Sequence, residues 1–305
     1  MQSWFSPVYS GLIFRAKSSK IRLQNLDAAK GVMAQPPPDR KPGNLRLRIL
    51  SALVFAPPVF AVIHVGSPWF DAVVVIAGLL MSWEWARMCC DGEYALPGWL
   101  LTVGIAGAAA ATMAGTPLLG IAVVAIVAII LVLVGRMAGG GMAGYLAFGV
   151  VLIGIFTVSF LWIRDFPDSG KELTIWLVLA VWFTDTGGYF FGRAVGGAKL
   201  APRISPNKTW AGLGGGILLA SIWSGFWLTA DRDTDVIFKV AAGAIVAIVA
   251  QFGDLAVSAV KRKFGVKDTS GLIPGHGGIL DRLDGMLMTA PWVAFAILSS
   301  DRGWI

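Results

Sequence analysis

Charge is scarce in this chain. Only 14 % of its 305 residues are Asp, Glu, Lys or Arg, against about 25 % in an ordinary soluble domain. Length alone would allow one to three soluble domains, but so little charge points to lipid as the solvent for most of the chain. Histidine and cysteine number two each. Cys89 and Cys90 are adjacent, so they build neither a disulfide framework nor a Cys-rich metal site. With one local histidine, His276, and no cysteine beside it, zinc is a poor candidate too. No basic helix or aromatic ladder argues for nucleic acid, and no sequence repeat suggests the inverted halves of many transporters.

What the chain has is apolar length. It is 56 % hydrophobic, with 38 Gly and 13 Trp, types enriched in membrane helices and at their ends. Runs near 48–66, 68–86, 95–113, 115–134, 142–162, 173–191, 209–229, 237–257 and 284–299 predict an all-α polytopic membrane protein of about nine spans. The net charge of +7 fits the positive-inside bias, with a phosphorylated substrate as a second contributor. Basic residues gather before the first span, after the sixth (Arg193, Lys199, Arg203, Lys208) and after the eighth (Lys261, Arg262, Lys263, Lys267, Arg282). The opposite loops, "RDFPDSGKE" and "TADRDTD", are mixed or acidic. This bias places the N-terminus in the cytoplasm. Residues 1–45, with "AQPPPDRKPGN", read as a basic disordered tail ahead of a membrane domain over 46–305.

Polar residues within spans are costly, so each needs a reason. Glu84, three residues before Arg87, reads as half of a local ion pair. Asp185 in "VWFTDTGGYFFGR" lies at a depth where a carboxylate is a functional candidate by default. Gly187 and Gly188 would open the helix beside it, and Arg193 would be its structural partner. In "SPNKTWAG", Ser205 reads as an N-cap and Pro206 as the first helical residue. Lys208 and Thr209 would then offer a cation and a hydroxyl to phosphate at a helix start. The plainer alternative is an ordinary cap with a positive-inside lysine.

In "QFGDLAVSAVKRKFGVKD", Asp254, Ser258 and Lys261 fall at i, i+4 and i+7 on one helical face. In "GLIPGHGGILDRLD", Asp281 and Asp284 are at i, i+3, with Arg282 between them. Gly277 and Gly278 would let backbone approach a ligand closely. With Asp254 these aspartates form a hard-oxygen set suited to Mg²⁺. Two ions about 4 Å apart would clamp a phosphoryl group. The plainer alternative is a hydrated loop that solvates a helix end.

Through Ser258, Lys261-Arg262, Lys267-Asp268, Pro274, His276-Gly277-Gly278, Asp281-Arg282 and Asp284, the chain closely resembles the phosphatidate cytidylyltransferases, or CDP-diacylglycerol synthases. The likeness is strongest over about 180–290, the expected catalytic half. One departure is Gly285, where relatives often carry Ser. The resemblance implies that CTP and phosphatidic acid give CDP-diacylglycerol and pyrophosphate with Mg²⁺. It also implies a multi-pass inner-membrane homodimer whose site faces the cytoplasm. On that basis Asp254 and Asp281 would bind metal, with Asp284 as a further ligand. Lys261, Arg262 and Lys267 would hold phosphates, joined by Ser205, Lys208 and Thr209 from the neighbouring loop. His276 would orient or protonate a phosphate oxygen, and Asp185 would bind a second cation, divalent or monovalent, or organise the basic groups. Ser258, Gly277, Gly278 and Arg282 would complete the substrate site. Two other classes compete: a transporter for an anionic or cation-coupled substrate, and a CDP-alcohol phosphotransferase.

Overall fold

The computed structural model describes residues 57–90, 92–94, 96–137, 142–227, 235–273 and 277–301. The expected basic tail, most of the "TADRDTD" loop and His276 lie outside the described residues.

The described chain is a helical bundle. A helix over 57–65 (α1) leads to α2 (Trp69–Cys89), α3 (Leu96–Met113), α4 (Pro117–Met137), α5 (Ala143–Arg164) and α6 (Gly170–Ala194). Two short strands follow, β1 (Lys199–Ala201) and β2 (Ser205–Thr209). Then come α7 (Trp210–Trp227), α8 (Val236–Lys263), the single turn α9 (Leu280–Leu283) and α10 (Met286–Asp301). Six of these helices, α2 to α6 and α8, are long and apolar enough to cross a membrane. The protein is therefore largely membrane-spanning. Of the other three expected spans, 48–66 is described only from 57, and 284–299 is the 16-residue α10. The run 209–229 is the 18-residue α7, whose glycines and tryptophans dilute its hydropathy.

α5 is the central helix, mostly buried, whereas α4 is peripheral and turns Leu118, Ile126, Ile129 and Leu133 outward. Trp85 of α2 is fully buried against α5 and donates its indole N–H to the Tyr145 carbonyl at 2.9 Å. Gly149 makes that fit, because a Cβ there would overlap the indole ring. Small residues also set the spacing of α6 and α7. A Cβ on Gly212 would come within 2.9 Å of the Gly188 carbonyl, and one on Gly187 would overlap the Gly215 backbone. Close backbone approach through glycine is the usual device for packing helices in lipid. The expectation that Gly187 and Gly188 open α6 is thus corrected. α6 runs unbroken through them to Ala194, and they serve helix packing.

The loop after α6 also departs from expectation. Ser205 does not cap a helix, and "SPNKT" is not a first turn. It is β2, antiparallel to β1, with Lys199 paired to Thr209 and Ala201 to Ser205. The cap is Thr209, whose Oγ1 accepts the Gly212 N–H at 3.0 Å, so α7 starts four residues later than predicted. The ladder satisfies backbone groups that a helix start would have left free. An otherwise all-α bundle therefore carries one hairpin, at the end where α8 finishes.

Candidate active site

Three parts of the chain meet beyond that hairpin: the last turns of α8, the loop segments 268–273 and 277–279, and the α9–α10 junction. Gly253 brings α8 against the junction, since a Cβ there would lie 2.7 Å from the Asp284 carbonyl oxygen. Asp254 is thereby placed near Asp284. Asp185, on α6, lies within electrostatic reach of both, with Lys208 among the nearest cations. Asp185 is exposed, and Asp254, Asp284, Lys208 and Arg282 lie around it. Arg193, its expected partner, instead donates to the Tyr189 hydroxyl at 3.2 Å.

The predicted face of α8 is present. Ser258 donates to Asp254 Oδ1 at 3.1 Å, one turn away. The other Asp254 oxygen pairs with Lys208 Nζ, delivered by β2. That ammonium is shielded and, among the described residues, makes no other hydrogen bond, so it keeps unused donors.

One turn on, Lys261 pairs with Asp281 at 2.7 Å, and both side chains are buried. Asp281 Oδ2 also accepts Thr269 N at 2.8 Å and Gly278 N at 3.0 Å, and it lies 3.0 Å from Thr269 Oγ1, whose one proton it shares with Glu84. Burial opposes ionisation of Asp281, but the Lys261 ammonium and the Gly278 and Thr269 amides outweigh it and hold the carboxyl below its usual range. With Oδ2 filled, contact with a metal is confined to Oδ1, beside Lys261. Among the described residues, Asp284 Oδ1 accepts only its own Gly285 N–H, at 2.9 Å.

Several expected ligand residues have other work in this arrangement. Arg262 donates to the carbonyls of Ile204 (3.1 Å) and Val266 (3.0 Å), tying the hairpin to the end of α8. Thr209 is 3 % exposed and its oxygen serves the α7 cap. Gly277, with φ +83°, and Gly278 do permit a close approach, but to carboxylates of the protein itself. A Cβ on Gly277 would come within 2.7 Å of Asp281 Oδ2, and one on Gly278 would overlap Thr269 and Glu84. Lys267 and Arg282 are exposed. Ser205 is half-buried at the start of β2. At Gly285 a Cβ would meet Val181 and Ala250 at 3.4 and 3.6 Å, so the Ser of relatives fits there.

The residue that sequence reasoning misplaced is Glu84. It is fully buried and does not pair with Arg87, which stacks over the Trp83 ring at 4.8 Å and donates to the Gly92 carbonyl at 2.9 Å. Instead Glu84 reaches from α2 to the loop. Its Oε1 accepts Ser270 Oγ (2.6 Å) and Ile279 N (2.9 Å), and its Oε2 accepts Thr269 Oγ1 (3.1 Å) and Leu280 N (2.8 Å). The one local signal was a carboxylate inside an apolar helix.

The bundle and this polar end define a polytopic membrane protein whose carboxylates and lysines face each other at one end, a donor set suited to phosphate and hard cations. The model of the Cytidylyltransferase family matches residues 46–300. A phosphatidate cytidylyltransferase of Brucella suis is 34 % identical over 262 residues, covering 81 % of this chain and 91 % of the relative. One of Rickettsia felis is 30 % identical over 259 residues, 83 % and 92 % of the two chains. One of Bacillus subtilis is 37 % identical over 155 residues, half of this chain and 58 % of its own. The chain belongs to the cytidylyltransferase family, among the phosphatidate cytidylyltransferases.

Proposed function

We propose that this protein transfers CMP from CTP to phosphatidic acid, giving CDP-diacylglycerol and pyrophosphate, at the crevice between Lys208, Asp254 and Asp284. The observation that carries this is the convergence of two lysine–aspartate pairs and a third carboxylate beside a family-matched loop. An oxygen of the lipid phosphate attacks the α-phosphorus of CTP, and the bond to the β-phosphate oxygen breaks as pyrophosphate leaves. That oxygen is already ionised near neutral pH, so the task is to bring two anions together and neutralise charge.

Lys208 and Lys261 bracket the carboxylates. Lys261, held by Asp281, keeps two further N–H donors for a phosphate. Lys208 turns from Asp254 to the triphosphate, and the exposed Lys267 and Arg282 add positive charge at the rim. Among the described residues, no three His, Cys, Asp or Glu side chains converge as a cage for one ion. Asp254 and Asp284 instead fit Mg²⁺ shared with substrate oxygens, since that ion commonly takes one or two carboxylates plus phosphates and water. Bound there, it would neutralise the triphosphate and polarise the α-phosphoryl group. Asp281 Oδ1 and Asp185 are the remaining acidic contacts available to cations. Nine spans, a cytoplasmic N-terminus and site, an inner-membrane location and a homodimer complete the reading, supported by the loop charges and the family resemblance. A role for His276 on a phosphate oxygen also belongs to it.

The test is CMP transfer from labelled CTP to phosphatidic acid by the detergent-purified protein, with Mg²⁺ or with chelator. Label should enter the lipid only with the metal. An intact, folded sample that transfers none contradicts the proposal, and solute uptake into proteoliposomes without CTP turnover would favour a transporter.

A further inference from the structure

We infer that Glu84 is a positioning residue for the reaction: from α2 it fixes the loop that sets the Lys261–Asp281 pair. This rests on the site proposed above. Glu84 is 0 % exposed, lies 185 to 196 residues from its partners, and faces four donors, two per oxygen, sharing the single Thr269 hydroxyl proton with Asp281 Oδ2. Four is the full capacity of a carboxylate. None of those donors is a lysine or arginine, so the anion is held by two hydroxyls and two backbone N–H groups.

The link to the reacting groups is Thr269. Its hydroxyl oxygen lies 3.1 Å from Glu84 Oε2 and 3.0 Å from Asp281 Oδ2, and its backbone N–H goes to that same Asp281 oxygen. Gly278 is enclosed by the same atoms, since a Cβ there would overlap Glu84 and Thr269. The Gly278 N–H in turn reaches Asp281. The two carboxylates thus hold the same loop. Asp281 holds Lys261, and Glu84 anchors the loop to α2. Polar contacts this complete inside an apolar bundle exceed what a local ion pair needs, and they converge on the pair that orients the phosphate-binding ammonium.

Glutamine is the sharp probe. It keeps the shape of Glu84, but its NH₂ replaces one acceptor. Either way round, a backbone N–H of Ile279 or Leu280 then faces another N–H and cannot turn to accept. The experiment measures kcat, KM for CTP and for phosphatidic acid, and thermal unfolding of the full-length protein in detergent. Parent, Glu84→Gln, Thr269→Val, their double variant and Asp254→Asn are compared. The inference expects Glu84→Gln to fold and to lose kcat about 10- to 100-fold, the scale of a misplaced catalytic group, with both KM values little changed. It also expects the double variant to lose well short of the product of the two single losses, because both act through one unit. Parent-level kcat per folded Glu84→Gln molecule, or losses that multiply, would overturn it. If Glu84→Gln does not fold, Ser270→Ala takes its place, removing one donor from the loop side. A lowered kcat at unchanged KM then supports the inference, and an unchanged kcat overturns it. Parent-level activity in Asp254→Asn removes the site reading and this inference together, whereas its loss with Glu84→Gln unaffected removes the inference alone.

Discussion

Two lysine–aspartate pairs flank the same face of α8, and they differ in how much protein stands behind them. Lys208 and Asp254 are 20 % and 25 % exposed, and one serine hydroxyl supports the carboxylate. Lys261 and Asp281 are 8 % and 5 % exposed, and a hydroxyl and two backbone amides support theirs, with Glu84 behind them. A partly solvated pair gives up little when a new anion arrives, whereas parting a buried pair strands a charge. On the proposed function, the first pair suits exchange with substrate, and the second suits holding Lys261 in place for a phosphate. The two pairs sit two helical turns apart on α8.

The largest effect should come from breaking the buried pair. Asp281→Asn leaves the Lys261 ammonium without its counter-ion, which should cost about 3–5 kcal/mol of stability and reduce CMP transfer to background. Thermal unfolding and the transfer assay read both. Lys208→Ala, breaking the exposed pair, should raise KM for CTP about tenfold, as for one lost charge-assisted contact, while unfolding barely moves. Equal loss of stability in the two variants would erase the distinction between the pairs. Thr209→Ala, next to Lys208 in β2, should cost about 1 kcal/mol through the lost α7 cap and leave KM for CTP near the parent value. The smallest effect is a flat line. Asp281 is held below its usual pKa, so its stabilisation is fully present above the unfolded value of about 3.9 and fades only as pH falls through the lower folded value. The stability gap between the parent and Asp281→Asn should stay constant from pH 8 to 5 and narrow only below about pH 4.

The parts of this site that follow helical period were legible in the sequence. Asp254, Ser258 and Lys261 share a face because 3.6 residues per turn requires it, and the Ser258–Asp254 contact shows it. What could not be read locally was set by distant chain. Glu84 looks like a partner of Arg87 from spacing alone, but its donors arrive from a loop nearly two hundred residues later. Ser205 has the chemistry of a cap, yet pairing with Ala201 draws its segment into a strand and passes the cap to Thr209. Gly187 and Gly188 were visible as backbone without side chains, but only the approach of α7 shows what that absence is for. The glycines at 277 and 278 read as places for backbone to approach a ligand, whereas the groups that approach them are Asp281 and Glu84 of the protein itself.

The most direct measurement is a map of the protein in lipid with Mg²⁺ and a CTP analogue that cannot release pyrophosphate. The account predicts the triphosphate in the crevice beside Asp254 and Asp284, Lys208 turned from Asp254 onto a phosphate, and the Lys261–Asp281 pair intact. A nucleotide bound elsewhere, or Lys261 drawn off Asp281 while Lys208 stays on Asp254, would contradict it.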